Sequence, residues 1–206
     1  MAISSQVQVV VARLDPGPHQ ARAAALSLSQ AERSRAARFR FECDRRRFIV
    51  ARARLRELLA ERLAVPPGSI EFTYGREGKP SLAERFARSG WRFNLSHCGE
   101  LAVYAFSRAG EVGIDVEPVH VIAEADAIAE RFFAPDERLA YKTSNPGERT
   151  MSFLRIWTRK ESLAKGLGAG LAVPLEALDA SAPPRGWSIE SFSPEPGFIG
   201  ALALQE

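Results

Sequence analysis

Residues 153–171 read FLRIWTRKESLAKGLGAGL, and residues 112–118 read VGIDVEP. The first stretch has the pattern of a helix running into a glycine-rich loop, and it carries Lys160, Glu161 and Lys165. The second reads as a strand in which Val112, Ile114 and Val116 alternate with Gly113, Asp115 and Glu117. Successive strand side chains face opposite ways, so Asp115 and Glu117 project from one face and the apolar residues from the other. Glu161 supplies a third carboxylate from the helix. Three hard oxygen ligands beside a lysine suit Mg²⁺ bound together with a substrate phosphate. An isolated pair of acids would more simply be solvent-exposed. The alternation of an apolar and an acidic face, together with the helix block, favours the metal reading. Lys165 lies four residues after Glu161 on the same helix face. It either forms an i,i+4 ion pair worth roughly 0.2–0.5 kcal/mol or places its ammonium where phosphate charge develops. Lys160, adjacent to Glu161, points elsewhere, and Trp157, one turn earlier, is expected in the core.

The chain has 206 residues, room for one large domain or two small ones. A hydrophobic content of 46% is that of a globular protein and argues against disorder. No apolar run approaches the roughly 20 residues of a membrane span. The opening MAISSQVQVVVARLD lacks the basic start and long apolar core of a secretion signal. Cys43 and Cys98 offer no disulfide framework and read as free thiols in a reducing cytoplasm.

The net charge of +3 is unevenly spread. Residues 1–105 carry 18 Arg/Lys against 10 Asp/Glu, and residues 106–206 carry 10 against 15. That asymmetry suggests an anionic ligand on the first half and a metal on the second, or simply two solvated faces. Arg33, Arg35, Arg38, Arg40, Arg45, Arg46, Arg47, Arg52, Arg54 and Arg56 crowd one segment against only Glu42 and Asp44. This run is a solvated helix face, a nucleic-acid patch, or a clamp for a multiply phosphorylated small molecule, since guanidinium binds phosphate bidentately.

Val7 to Val11 is predicted as a strand. Ser29 with Glu32 three residues on fits a capping box, so a helix starts there. Asp44 is a second N-cap candidate for a helix that runs to Leu63 and stops at Pro66-Pro67-Gly68. Strands are expected at Ile70–Tyr74, Trp91–Leu95, Leu101–Phe106 and Glu111–Glu117. Arg108-Ala109-Gly110 is the natural boundary between two domains, 1–108 and 109–206. Helices follow over Ala123–Phe132, from Pro135, and from the Asn145-Pro146-Gly147 break to Lys165, with Gly166 in the C′ position. Ser188–Phe192 and Phe198–Leu204 close the chain as strands. Phe48-Ile49 and Phe153-Leu154 head the two long helices, and Val65-Pro66 and Val173-Pro174 follow them, a weak internal echo.

The blocks Gly113-Ile114-Asp115-Val116-Glu117 and Trp157-Thr158-Arg159-Lys160-Glu161-Ser162-Leu163-Ala164-Lys165, in this order and spacing, resemble those of the 4'-phosphopantetheinyl transferases of the long, surfactin-synthetase-activating (Sfp) type. The resemblance extends upstream through Gly78-Lys79-Pro80 and Phe93-Asn94-Leu95-Ser96-His97 and covers about Ser29 to Pro174. It implies an α+β fold of two similar subdomains related by a pseudo-twofold, the first holding coenzyme A and the second holding Mg²⁺ and docking the partner. It implies transfer of 4'-phosphopantetheine from coenzyme A to a serine of an apo acyl- or peptidyl-carrier protein, giving holo-carrier and adenosine 3',5'-bisphosphate. In this reading Asp115, Glu117 and Glu161 hold Mg²⁺, Glu161 is the base, and Lys165 stabilises the leaving phosphate. Arg47, Gly78, Lys79, Pro80, Ser96, His97, Asp115 and Lys165 contact coenzyme A. Arg35 matches a further basic position, and Glu32 falls where relatives often have a basic residue. The carrier helix is expected beside Gly166 to Val173, at Leu167, Leu171 and Val173. Length implies a monomer. The rival readings are a Mg²⁺-dependent nuclease and a basic nucleic-acid-binding protein.

Overall fold

The computed structural model describes residues 6–15, 17–168 and 174–206. The first half runs β1 (Val7–Arg13), α1 (Pro18–Ala25), α2 (Gln30–Ala36), α3 (Glu42–Leu63), β2 (Phe72–Tyr74), β3 (Pro80–Leu82), β4 (Arg92–Cys98) and β5 (Leu101–Ser107). The second runs β6 (Val112–Pro118), α4 (Ala125–Phe132), α5 (Pro135–Thr143), α6 (Arg149–Leu167), β7 (Trp187–Phe192) and β8 (Phe198–Gln205). The chain is α+β, as expected. Its strands form antiparallel sheets in the orders β1-β5-β4 and β6-β8-β7, plus the small hairpin β2-β3. Each large sheet has the same plan: a first strand, a long helix, then a hairpin whose second strand takes the middle place. The echo between the two long helices is the trace of this repeat, although Phe48 and Phe153 lie within α3 and α6 and do not head them. Among the described residues no helix is long and apolar enough to cross a membrane.

Burial follows from the layering. All seven residues of β5 are buried. Leu101, Val103 and Ala105 meet Val112, Ile114, Val116, Leu202 and Leu204 of the other sheet. Ala102, Tyr104 and Phe106 face Leu55 and Leu59 of α3. A strand covered on both faces loses its polar alternation. On the far side, Ala203 of β8 packs on Leu163 and Ala164 of α6. Trp157, expected in the core, is half-buried and packs against it, stacked on Phe153 with the ring centroids 6.2 Å apart.

Asp115 aside, each half buries one carboxylate among the described residues, Glu32 in the first and Glu137 in the second. Glu32 closes the predicted capping box: the Ser29 amide donates to its carboxylate at 2.8 Å. The same carboxylate accepts from Arg56 Nε at 2.8 Å and Nη2 at 2.7 Å, and lies 3.6 Å from Arg52. Arg56 donates onward to the carbonyls of Pro67 and Ile70. Glu137, third in α5, accepts from the Ala134 amide at 2.8 Å, the Ala180 amide at 2.7 Å and Lys160 Nζ at 2.5 Å. Lys160 is wholly buried and also donates to the Leu178 carbonyl. So Arg52, Arg56 and Lys160 are scaffold cations. The arginine run is not one solvated face, because two of its members are interior. Glu32 is a structural acid.

Two helix ends differ from expectation. Gly168, not Gly166, takes the left-handed C-cap of α6, with φ +68°. Gly166 is buried inside the helix, where a Cβ would lie 2.5 Å from the Trp187 ring, so close packing, not backbone handedness, asks for glycine there. Asp44 is not an N-cap: α3 begins at Glu42 after Phe41, and Asp44 sits in its first turn.

Candidate active site

Gly113 brings the two decisive segments together. A Cβ at that position would lie 2.0 Å from the Ser162 carbonyl oxygen and 2.3 Å from the Gly166 nitrogen. The absence of a side chain lets α6 rest directly on β6, so Glu161 and Lys165 reach the strand's acidic face.

There Lys165 Nζ donates to Asp115 Oδ1 at 2.5 Å and to Ser96 Oγ at 3.1 Å, while Ser96 Oγ donates to the same Oδ1 at 2.9 Å. Asp115 is 3% exposed, and its Oδ2 is buried with no hydrogen-bond partner. Ser96 comes from β4, whose alternate residues span the seam to β6. Asn94 Oδ1 accepts the Ile114 amide at 3.1 Å, Ser96 meets Asp115, and Cys98 Sγ lies 3.7 Å from Glu117 Oε2. β4 and β6 belong to different sheets, so these side chains do the joining.

The electrostatics are those of crowded acids. Burial, and then the Asp115 charge, push Glu117 above the usual carboxylate range, against Cys98 and Lys165. Burial pushes Glu161 up as well; the Lys165 charge opposes it and the Asp115 charge adds to it. Burial and Glu117 push the Cys98 thiol up to about 11, so it is no nucleophile at neutral pH.

A cleft of about 280 Å³ opens beside this cluster, lined by Gly78, Lys79 and Pro80 on one wall, Glu161 and Lys165 on the other, with Asn94 and Leu95 between. Five of the expected residues therefore share one cavity. The Lys79 ammonium is engaged by protein: it donates to Glu111, the Val112 carbonyl and the Gly166 carbonyl. Burial lowers its pKa, with Glu111 opposing. His97 stands at the surface. Partial burial, then the charges of Lys165, Arg52, Arg35 and Arg47, hold its imidazole below the usual range. Arg47 is half-buried and paired with Glu100 at 3.3 Å and Asp44 at 3.8 Å. Leu171 and Val173 lie outside the described residues, and Leu167 is exposed.

Among the described residues, no three His, Cys, Asp or Glu side chains are grouped closely enough to hold a metal by themselves. Asp115, Glu117 and Glu161 are electrostatic neighbours without being a ready-made cage; the Lys165 ammonium lies against Asp115. Mg²⁺ takes one or two protein carboxylates and fills its shell with water and substrate phosphate. The unpartnered Asp115 Oδ2 and Glu117, whose pKa is raised by burial and then by Asp115, fit that kind of site. Asn94 and Cys98 were passed over as site residues because the seam they bridge joins strands of different sheets, which no local pattern announces.

Residues 12–109 match the family model "4'-phosphopantetheinyl transferase, N-terminal", and residues 111–198 match "4'-phosphopantetheinyl transferase superfamily". The chain is 35% identical over 211 residues to the 4'-phosphopantetheinyl transferase HetI of Nostoc sp., spanning 98% of this chain and 89% of that protein. It is 37% identical over 152 residues to a 4'-phosphopantetheinyl transferase of Bacillus pumilus, covering 72% of this chain and 61% of the other. A 4'-phosphopantetheinyl transferase of Bacillus subtilis is 31% identical over 165 residues, 80% of this chain and 70% of that one. With both blocks, the cleft and these relatives in agreement, the chain belongs to the 4'-phosphopantetheinyl transferase family.

Proposed function

We propose that this enzyme transfers 4'-phosphopantetheine from coenzyme A to a serine of an apo acyl- or peptidyl-carrier protein, and that it is of the Sfp type. The observation that carries the reading is the cluster of Lys165, Ser96 and Asp115, whose Lys165 lines the cleft together with Glu161. In this reading residues 1–108 hold the nucleotide, and residues 109–206 supply the acidic face and dock the carrier. Gly78, Lys79 and Pro80 wall the adenine, while His97, Arg47 and Arg35 face its phosphates. Asp115 and Glu117, with Glu161 beside them, would hold Mg²⁺, which when bound neutralises pyrophosphate charge.

The chain's own groups account for the remaining chemistry. The carrier serine oxygen attacks the β-phosphorus, its proton passes to Glu161, and the bond from that phosphorus to the bridging oxygen breaks. Adenosine 3',5'-bisphosphate leaves with the bond's electrons. Burial raises the proton affinity of Glu161, which suits a base working near neutrality. Lys165 stands where charge grows on the leaving oxygen. Positioning and electrostatics dominate, as in other phosphoryl transfers. The carrier helix docks at the end of α6 near Leu167. The enzyme acts as a cytoplasmic monomer, without nucleic-acid or membrane partners.

Intact-mass spectrometry of several apo-carriers incubated with coenzyme A and Mg²⁺ tests this. Addition of one phosphopantetheine to the carrier serine is expected, and its loss in Asp115→Ala. A chain that modifies no carrier but cleaves duplex DNA with Mg²⁺ would establish the nuclease alternative instead.

A further inference from the structure

Lys79 lies in the turn between β2 and β3, far in sequence from the helix it touches. Its ammonium donates to Glu111 Oε2 at 3.2 Å, to the Val112 carbonyl at 3.4 Å and to the Gly166 carbonyl at 3.0 Å. An ammonium has three donors, and here each meets a protein oxygen. Glu111 is itself held from the other side by Arg92 at 2.9 Å. The three acceptors belong to three places: the residue before β6, the first residue of β6, and the last turn of α6. Gly166 follows Lys165 directly, and its carbonyl is among those that a helix leaves without an internal partner, where a cation is also favoured by the helix dipole.

We infer that Lys79 is a positioning residue: it ties the β2–β3 turn to the end of α6 and so fixes the width of the cleft and the place of Lys165, and its charge does not serve a ligand phosphate. The cleft geometry makes this concrete. Gly78, Lys79 and Pro80 form one wall, and Glu161, Ala164, Lys165 and Gly168 form the other. The Lys79 ammonium bonds that second wall directly through Gly166. The Lys79 stem lies along the cleft, with its Cδ 3.9 Å from where a Cβ on Gly168 would be. One residue thus lines the cavity with its methylenes and sets its span with its ammonium. This inference rests on the cleft reading above, but its first test does not.

The variant Lys79→Met keeps the stem and removes the donors. Hydrogen–deuterium exchange of the unliganded protein should speed up by about tenfold or more at the amides of residues 75–79 and 164–168, and stay unchanged in α3. Glu111→Gln, which weakens one of the three bonds, should give a smaller rise in the same two segments and covers the case in which Lys79→Met fails to fold. In turnover with saturating coenzyme A and carrier, Lys79→Met should lower kcat by about tenfold through misplacement of Lys165. The slope of log Kd for coenzyme A against log salt should match the wild type. Unchanged exchange in both segments, or a flatter salt slope in Lys79→Met, would overturn the inference. A wild-type protein that neither binds coenzyme A nor modifies a carrier would defeat the transferase reading and leave the exchange result standing.

Discussion

Replacing Gly113 by alanine should damage fold and chemistry together, and the structure sets the size of both effects. The new Cβ would fall 2.0 Å from the Ser162 carbonyl oxygen, 2.3 Å from the Gly166 nitrogen and 2.8 Å from the Gly166 Cα. All three are backbone atoms of α6, so no side chain can swing aside. Restoring an acceptable contact of about 3 Å requires the helix to retreat from β6 by about 1 Å. Overpacking on this scale costs about 1–3 kcal/mol, and for a chain of this length each kcal/mol lowers Tm by about 2–4 °C. Ser162 and Gly166 flank Glu161 and Lys165, so the retreat carries both away from the strand. The Lys165–Asp115 contact, now 2.5 Å, would open to about 3.5 Å, beyond a good charge-assisted hydrogen bond. A displacement of that size costs about a hundredfold in turnover. Carrier modification followed by mass spectrometry, at a temperature well below the variant's Tm, measures the rate; a denaturant titration measures the fold. Gly147→Ala is the control, because a Cβ there meets nothing within 4 Å, and it should change neither. Wild-type turnover in folded Gly113→Ala would refute the claim that helix contact with the strand sets the site.

Two further outcomes follow from the buried and crowded groups. Lys160→Met leaves Glu137 buried with only its two amide donors, and should destabilise the fold by about 3–5 kcal/mol while turnover per folded molecule stays near wild type; a loss of turnover without loss of stability would move Lys160 into the catalytic machinery. His97 has its folded pKa lowered, so its contribution to stability is intact above the unfolded value near 6.5 and is lost as pH falls through that value toward the folded one, the unfolded chain taking the proton first. A phosphate dianion bound beside it reverses the shift. Calorimetry in buffers of different ionisation enthalpy should therefore show proton uptake when coenzyme A binds just above pH 6, and none in His97→Ala; equal uptake by both proteins would remove His97 from the phosphate site.

Much of the site could be read from local periodicity. The same-face acids on β6, the helix carrying Glu161 and Lys165, and the Ser29–Glu32 box are all short-range patterns, and each appears where spacing put it. α1 was missed because Pro18–Ala25 is short and ends without a strong stop signal. Gly166 was misplaced because a glycine required by a neighbouring tryptophan looks, in sequence, like one required by a left-handed turn. The arginine run could not be divided into surface and interior members without knowing that Glu32 turns inward. Asp115 with Ser96, Glu32 with Arg56, and Lys79 with Gly166 are contacts between residues distant along the chain; composition and spacing carry no record of them, and the family blocks mark only Asp115, Ser96 and Lys79.

The seam between β4 and β6 has a consequence for how the molecule comes together. Each of these strands pairs on one side only, β4 with β5 and β6 with β8. Left bare, such edges invite pairing with other chains. Here Asn94, Ser96 and Cys98 cover them from one side, and the groups they cover include Asp115 and Glu117. A half produced alone would expose a sticky strand border and would lose the Ser96–Asp115 hydrogen bond for the same reason. Assembly of the candidate site is thus also the step that protects the chain from its own kind.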